Sequence, residues 1–217
     1  YVETGLFLFT GLVGTGHHYY WIGSPDYWLW WGGIFSALEP LPVALMVLDT
    51  WMHIRARKNP IVNPLLWTYI MGLALFHFLG AGVFGFIHTL PPVNYYTHGS
   101  QITVSHGHLA FFGAYALLNL VVFYFAMPQL KGIEKFDDRL GVWGFWIMVV
   151  SMVFMGLIFG VAGVLQTYLE RILDIGYSTA HMTMMFWFKA VLFFGVIFLC
   201  GVLLTVYHLF TLKKASE

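Results

Sequence analysis

The chain has 217 residues, of which 59% are hydrophobic, 19% are aromatic and only 9% carry a charge. Its mean hydropathy is +0.77. So few charged side chains cannot cover a soluble globule of this length, and the composition predicts a membrane protein. The net charge of zero provides no basic surface for nucleic acid, which excludes a nucleic-acid partner. The single cysteine, Cys200, excludes an internal disulfide.

Apolar stretches of about 20 residues, the length that crosses a bilayer as a helix, recur along the chain. They predict an all-α integral membrane protein in which residues 1–217 form one transmembrane domain, a bundle of five complete helices and one partial helix. The partial helix is predicted over 1–16, and the complete helices over 28–53, 62–88, 101–127, 140–168 and 182–211. Prolines mark three predicted helix boundaries: Asn59-Pro60 before the third stretch, Pro91-Pro92 after it, and Pro128 at the end of the fourth.

Basic residues predict the orientation of these helices in the lipid bilayer. Clusters of lysine and arginine mark the cytoplasmic side of a membrane protein. Three clusters fall on one side of an alternating path: Arg55, Arg57 and Lys58; Lys131, Lys135 and Arg139; and Lys213 and Lys214. We therefore expect the opposite ends of the helices to face the external side. There lie His17 and His18, His106 and His108, and the polar run Asn94-Tyr95-Tyr96-Thr97-His98.

Two adjacent histidines follow the first apolar stretch. Neighbouring side chains on a regular helix diverge by about 100°, so His17 and His18 converge on one metal only where the backbone departs from α-helical geometry. Gly14-Thr15-Gly16, directly before them, favours such a departure. Neutral imidazoles suit iron, copper or zinc, and a firm site needs at least one further donor. The alternative interpretation is polar decoration of the membrane surface.

Glu39 lies well inside the second apolar stretch and is followed by Pro40 and Pro42. The prolines disrupt local backbone hydrogen bonding. An ionisable side chain at such a depth is costly, which makes Glu39 a candidate metal ligand, partner of a ligand or proton carrier. A purely structural role is the alternative.

The triplet His106-Gly107-His108 lies inside the fourth apolar stretch. Residues two apart on a helix project about 200° from one another, so the two imidazoles cannot reach one metal. Each can hold a different iron, and the glycine between them leaves room for flat macrocycles near the backbone. The triplet therefore favours a membrane helix between two hemes, with a pair of helix-packing histidines as the alternative.

Taken together, these motifs resemble the catalytic (large) subunit of bacterial nitric oxide reductases, a family of the heme–copper oxidase superfamily. The resemblance is carried by four stretches, Gly14-Thr15-Gly16-His17-His18-Tyr19-Tyr20-Trp21-Ile22-Gly23, Phe35-Ser36-Ala37-Leu38-Glu39-Pro40-Leu41-Pro42, Asn94-Tyr95-Tyr96-Thr97-His98-Gly99 and His106-Gly107-His108-Leu109-Ala110-Phe111-Phe112-Gly113-Ala114-Tyr115. It runs nearly end to end, over the C-terminal half of a family member, and so implies half of a twelve-helix subunit.

The resemblance implies a role for each candidate residue. His17 and His18 would be two of three histidine ligands of a non-heme iron. His106 would be the proximal ligand of a high-spin heme b, and His108 one axial ligand of a low-spin heme b. Glu39 matches a glutamate beside the binuclear centre that serves in proton delivery or in shaping the iron site. Calcium near the heme propionates, also known in the family, would use mostly residues from upstream.

The remaining ligands are expected before Tyr1, on the N-terminal helices of the same subunit. They are a third histidine and a glutamate for the non-heme iron, and a second axial histidine for the low-spin heme. The chain starts inside an apolar run without a methionine or a signal peptide. We therefore expect it to be a fragment of a longer polypeptide, with a separate chain as the alternative source of those helices.

The reaction implied is the reduction of two nitric oxide molecules to nitrous oxide and water in the bacterial cytoplasmic (inner) membrane. Electrons would come from a cytochrome c type subunit or from quinol, and protons from the external, periplasmic side. A terminal oxidase that reduces dioxygen is the first alternative. It is disfavoured because the helix after His17-His18 carries Glu39 and lacks the lysine common in pumping oxidases. A transporter without heme, whose histidines line an ion path, is the second alternative.

Overall fold

The computed structural model describes residues 1–58 and 63–213. Asn59, Pro60, Lys214 and the first position of the helix predicted over 62–88 lie outside the described residues. Within the described part there are five helical runs that are long and apolar enough to cross a membrane, and no β-strand. These runs are Tyr27–Ala56, Pro64–Thr89, Gln101–Leu130, Arg139–Ile172 and Met185–Phe210.

The helices follow one another in a bundle. In chain order they are α1 (Val2–Gly14), α2 (Tyr27–Ser36), α3 (Pro40–Ala56), α4 (Pro64–Phe76), α5 (Phe86–Thr89), α6 (Pro91–Thr97), α7 (Gln101–Phe111), α8 (Leu118–Leu130), α9 (Arg139–Thr167), α10 (Tyr177–Thr183) and α11 (Met185–Phe210). A 3-10 helix, Thr15–Tyr19, follows α1. Three π-helical stretches continue α4, α7 and α9; we call them the first (His77–Gly85), second (Phe112–Leu117) and third (Tyr168–Ile172) π segments.

Several predicted boundaries are wrong, and prolines explain two of them. The helix predicted over 28–53 changes to tight i−3 turns between α2 and α3, where Leu38 N donates to Phe35 O and Glu39 N to Ser36 O, because Pro40 has no N–H and its ring disturbs the preceding turn. The connector predicted over 89–100 contains α6, which begins at Pro91 because a first helical position needs no amide donor.

The other two changes lie at the chain's first and last spans. The first helix, predicted over 1–16, is α-helical only to Gly14 and then tightens into the 3-10 helix. The last helix, predicted over 182–211, is divided by Met184, whose φ of −89° and ψ of 4° fall outside the α-helical range. Residues 177–183 therefore form the separate helix α10.

Pro128 does not end the fourth span, as the sequence had predicted, but lies inside α8. A proline at this position leaves the Tyr124 carbonyl without its amide donor four residues later. The Asn63 side chain takes that place, because its Nδ2 donates to Tyr124 O over 3.4 Å. The same side chain accepts from Leu66 N at 2.9 Å and so caps the start of α4. One asparagine thereby compensates for a proline in a neighbouring helix.

The core lies between α4, α8, α9 and α11. Its largest fully buried members include Tyr69, Phe76, Tyr124 and Met148. Glycines allow α9 and α11 to approach closely, since a Cβ on Gly201 would lie 2.8 Å from Met148 Cγ. Small residues at such crossings are typical of membrane helix pairs, which gain stability from close packing.

A buried polar network joins four elements at the end of the bundle that bears the lysine and arginine clusters. His208 Nε2 donates to Asp137 O over 2.8 Å, so its Nδ1 accepts from the Tyr124 hydroxyl at 2.9 Å. Beside them the Tyr69 hydroxyl donates to Gly141 O over 3.2 Å and lies 3.3 Å from Thr205 Oγ1. His208 is only 4% exposed, so this network lies inside the bundle.

This network yields a stability prediction. Tyr124→Phe removes the hydroxyl that donates to His208 Nδ1 and leaves a buried acceptor without its partner, at a cost of about 1 kcal/mol. We expect the unfolding temperature of the detergent-solubilised protein, measured by the circular dichroism of its helices, to fall by about 2–4 °C. Tyr207→Phe removes the same atom from an exposed tyrosine of α11 and is the control. Equal unfolding temperatures for the two variants would contradict this account.

Candidate functional site

The site is organised around α7 and the second π segment that continues it, which pack closely at two glycines against the first π segment and the end of α4. A Cβ on Gly80 would lie 2.5 Å from the Leu109 carbonyl carbon, and one on Gly113 would lie 2.7 Å from that of Phe76. No side chain larger than hydrogen fits at either position without moving the backbones apart. Each glycine lies in a π segment, and such segments are frequent at functional sites.

The close crossing fixes the ring of His106. Its Nδ1 lies 2.8 Å from the Gly80 carbonyl oxygen. Because a carbonyl only accepts, the proton is on Nδ1, and Nε2 keeps its lone pair. A histidine held by its other nitrogen in this way has the tautomer and orientation that an axial metal ligand requires.

His108 is held in the same manner on the other side of α7. Its Nδ1 donates to Val104 O over 2.9 Å, and its ring centroid lies 4.8 Å from that of Phe159 on α9. The ring borders an open cavity of about 630 Å³, a volume typical of cofactor sites. The cavity is lined by residues that include Gly107, His108, Phe111, Tyr115, Met152 and Phe198. His106 thus contacts the first π segment, whereas His108 faces α9 and this cavity.

His17 and His18 lie in the 3-10 helix after α1, where the sequence had predicted a departure from α-helical geometry. Their ring centroids are 4.1 Å apart. The segment approaches α2 closely, because Gly16 and Gly32 pack backbone to backbone and a Cβ on Gly32 would lie 2.6 Å from the Gly16 carbonyl carbon. The two imidazoles are therefore neighbours at one place in the bundle.

Ser36 connects His17 to the region of Glu39. Its hydroxyl donates to Gly14 O over 3.1 Å and accepts from His17 Nδ1 at 2.7 Å, which leaves the Nε2 lone pair of His17 available. Glu39 Oε1 lies 4.0 Å from His17 Nδ1. Sequence reasoning missed Ser36 as a site residue, although it lies inside a motif that carried the family resemblance.

Electrostatics favour neutral imidazoles at the histidine pair. Burial, and after it the neighbouring His18, lowers the pKa of His17 to about 4. Burial also lowers the pKa of His18, followed by the effect of His106. Because His106 lowers the pKa of both residues, the 3-10 helix and α7 contribute to one electrostatic environment. Neutral imidazole is the form that binds a metal.

The connectors on this side of the bundle are joined by buried and partly buried hydrogen bonds. Trp21 Nε1 donates to Asn94 Oδ1 over 2.8 Å, and the Tyr20 hydroxyl donates to Thr89 O over 3.0 Å. Burial raises the pKa of Tyr20 to about 12, so this hydroxyl stays protonated and remains a donor. The ring of His88, on α5, has its centroid 5.8 Å from that of His106. Residues far apart in sequence are thereby collected at one end of the helices.

The arrangement supplies donors for several ligands without closing a metal site by itself. Among residues 1–58 and 63–213 there is no group of three or more His, Cys, Asp or Glu side chains placed to hold one metal ion. The chain does provide two oriented imidazoles on α7, a histidine pair and a nearby carboxylate. Chemically, these groups can act as axial ligands, as part of a metal site and as a proton carrier.

Comparison of folds defines the class of protein. The whole chain superposes on 42% of a chain from a cryo-EM structure of a heme–copper terminal oxidase dimer, with a TM-score of 0.74 and 17% sequence identity. The chain therefore shares the fold of part of a heme–copper terminal oxidase. The predicted all-α transmembrane architecture is confirmed.

Comparison of sequences then assigns the family. Residues 1–197 match the profile of cytochrome c and quinol oxidase polypeptide I, and the chain belongs to that family. It is 45% identical to a nitric oxide reductase subunit of Stutzerimonas stutzeri, over 95% of this chain and 45% of that protein. It is 26% identical to a cytochrome c oxidase subunit 1 homolog of Agrobacterium tumefaciens, over 88% of this chain and 37% of that protein.

These matches confirm the family resemblance that the motifs predicted. They also show that the chain spans less than half the length of these relatives. Together with the five apolar helical runs, they identify a multi-pass membrane protein.

Proposed function

We propose that this chain is the C-terminal half of the catalytic subunit of a membrane nitric oxide reductase, which reduces two NO to N2O and H2O with two electrons and two protons. The observation that carries the proposal is the pair of imidazoles on α7, each held through Nδ1 by a backbone carbonyl and facing opposite sides. The 45% identity to a nitric oxide reductase subunit supports this substrate over others.

The residues fit the cofactors that the family implies. His106 and His108 keep Nε2 lone pairs, each of which can bind a heme iron. By the family resemblance, His106 would hold a high-spin heme b and His108 a low-spin heme b. Beside His108, a Cβ on Gly107 would meet no atom within 4 Å, which leaves space for a flat group. His17 and His18 would supply two ligands of the non-heme iron, with the others coming from the remaining helices of the subunit.

When bound, the hemes and the non-heme iron would supply electron transfer and the binding and reduction of the substrate. The protein's part is positional, because a reaction between two substrate molecules is accelerated when both are held close together. The close backbone contact at Gly80 fixes the position of His106, and the contact between Gly16 and Gly32 fixes that of His17. An electron donor, either a cytochrome c type subunit or quinol, would complete the system.

Glu39 and Ser36 would handle protons beside the histidine pair. Glu39 Oε1 can hold a proton close to His17, and the Ser36 hydroxyl bridges His17 Nδ1 and the Gly14 carbonyl. A carboxylate next to a hydroxyl can accept and release protons through small rotations. We infer that Glu39 delivers protons from the external side of the membrane.

The complete catalytic subunit, expressed in bacterial membranes, provides the test. We expect two b-type hemes in a reduced-minus-oxidised absorption spectrum, non-heme iron without copper in metal analysis, and N2O formation from NO. His108→Ala should remove the low-spin heme, and His106→Ala should remove the high-spin heme, each abolishing turnover. His53→Ala is the matched control, because that ring is exposed and, among the described residues, it bonds to Asp49 within its own helix.

Two outcomes would overturn the proposal. Stoichiometric copper together with dioxygen reduction would assign the chain to a terminal oxidase instead. A preparation that binds no heme would favour the alternative that the protein is a transporter.

We also propose that the end bearing the histidine pairs faces the periplasm. Lys131 at the opposite end donates to Leu209 O and Phe210 O, so two of the basic clusters meet there. In a Cys200→Ala background, a membrane-impermeant thiol reagent should label Asp26→Cys in intact spheroplasts and Glu134→Cys only after lysis. The reverse labelling pattern would contradict this orientation.

A further inference from the structure

The first turn of α7 is held by a side chain from another helix. Gln166, near the end of α9, is 2% exposed, and its Oε1 accepts a hydrogen bond from Gln101 N at 2.9 Å. The first amides of a helix have no partner within the helix. Ser100 Oγ accepts a hydrogen bond from Ile102 N at 3.2 Å, and Gln166 Oε1 accepts the one from Gln101 N. The start of α7 is thus attached to α9 by a specific bond.

Glu170 fixes the orientation of Gln166. The Gln166 Nε2 donates to both carboxylate oxygens of Glu170, over 3.1 Å and 3.3 Å. A carboxylate accepts and an amide nitrogen donates, so this pair allows only one rotation of the amide, with Oε1 toward α7. Oε1 is thereby directed at an amide N–H at the positive end of the α7 dipole.

Glu170 is itself held in place. It lies in the third π segment, and its Oε1 is 3.6 Å from His181 Nδ1 on α10. His181 Nδ1 donates to Tyr177 O over 3.0 Å, and its ring stacks on Phe188 with the planes 18° apart. A continuous set of contacts therefore runs from α10 through the end of α9 to the start of α7.

Packing below this bond leaves α7 little lateral freedom. A Cβ on Gly163 would lie 2.5 Å from Ile102 Cγ1, and Ser105 Oγ donates to Gly156 O over 2.8 Å. His106 and His108 follow Gln101 by about 7.5 Å and 10.5 Å along the axis, at 1.5 Å per residue. The position of the first turn therefore sets the height and rotation of both imidazoles.

We propose that Gln166, oriented by Glu170, is a positioning residue for the two heme ligands of α7. The inference rests on the proposed function, since it concerns the groups that His106 and His108 would hold. Loss of the bond to Gln101 N releases the first turn of α7. The imidazole of His108, which borders an open cavity, then adopts a wider range of orientations toward its ligand.

The test uses the complete catalytic subunit carrying Gln166→Met, which keeps the side chain's length and removes its amide. We expect both hemes to remain bound, and the electron paramagnetic resonance signal of the low-spin heme to shift and broaden. Gln129→Met is the matched control, because Gln129 is exposed on α8 and, in the part of the chain that the structure describes, its side chain bonds to Phe125 O of its own helix. Its spectrum should equal that of the unmodified protein.

Variants of Glu170 test whether the orientation of the Gln166 amide, rather than the stability of the protein, changes the heme signal. Glu170→Gln keeps an oxygen acceptor for Gln166 Nε2, and its spectrum should lie close to that of the unmodified protein. Glu170→Leu removes the acceptor and should reproduce the shift of Gln166→Met. If Gln166→Met does not accumulate in membranes, the pair of Glu170 variants decides the question.

The outcomes are distinguishable from a failure of the proposed function. An unmodified protein without heme refutes the proposed function itself. Hemes in the unmodified protein, with an unaltered low-spin signal in Gln166→Met or Glu170→Leu, overturn only the positioning role, even if thermal stability falls.

Discussion

The hydrogen bond from His106 Nδ1 to the Gly80 carbonyl is the constraint on which the rest of the site depends. It forms only because α7 and the first π segment meet at glycines, where a side chain would separate the two backbones. With His106 fixed toward the π segment, helical periodicity directs His108 toward α9. One backbone crossing thereby determines which sides of the helix carry the two candidate axial ligands.

Much of this arrangement follows from the sequence. Long apolar runs predicted the spans, and helical periodicity predicted that His106 and His108 diverge. The glycines before His17 predicted the loss of α-helical geometry that the 3-10 helix provides. The π segments could not be predicted, because a π turn depends on the neighbouring helix as well as on its own residues.

Ordinary polar residues were also missed where their partners are distant in sequence. Ser36 reaches His17 across 19 residues, and Gln166 reaches Gln101 across 65. No local pattern marks such residues, since serine and glutamine are common and only the fold brings their partners near. The bond between Tyr124 and His208 likewise spans 84 residues. Inside a bilayer these bonds satisfy groups that water cannot reach.

The central claim is that the two imidazoles of α7 bind separate hemes on opposite sides of one membrane helix. A cryo-EM density map of the complete catalytic subunit tests this most directly. We expect one porphyrin at Nε2 of His106 and a second at Nε2 of His108, with α7 between them. A map in which both rings contact only protein, or in which both bind one metal group, would contradict it.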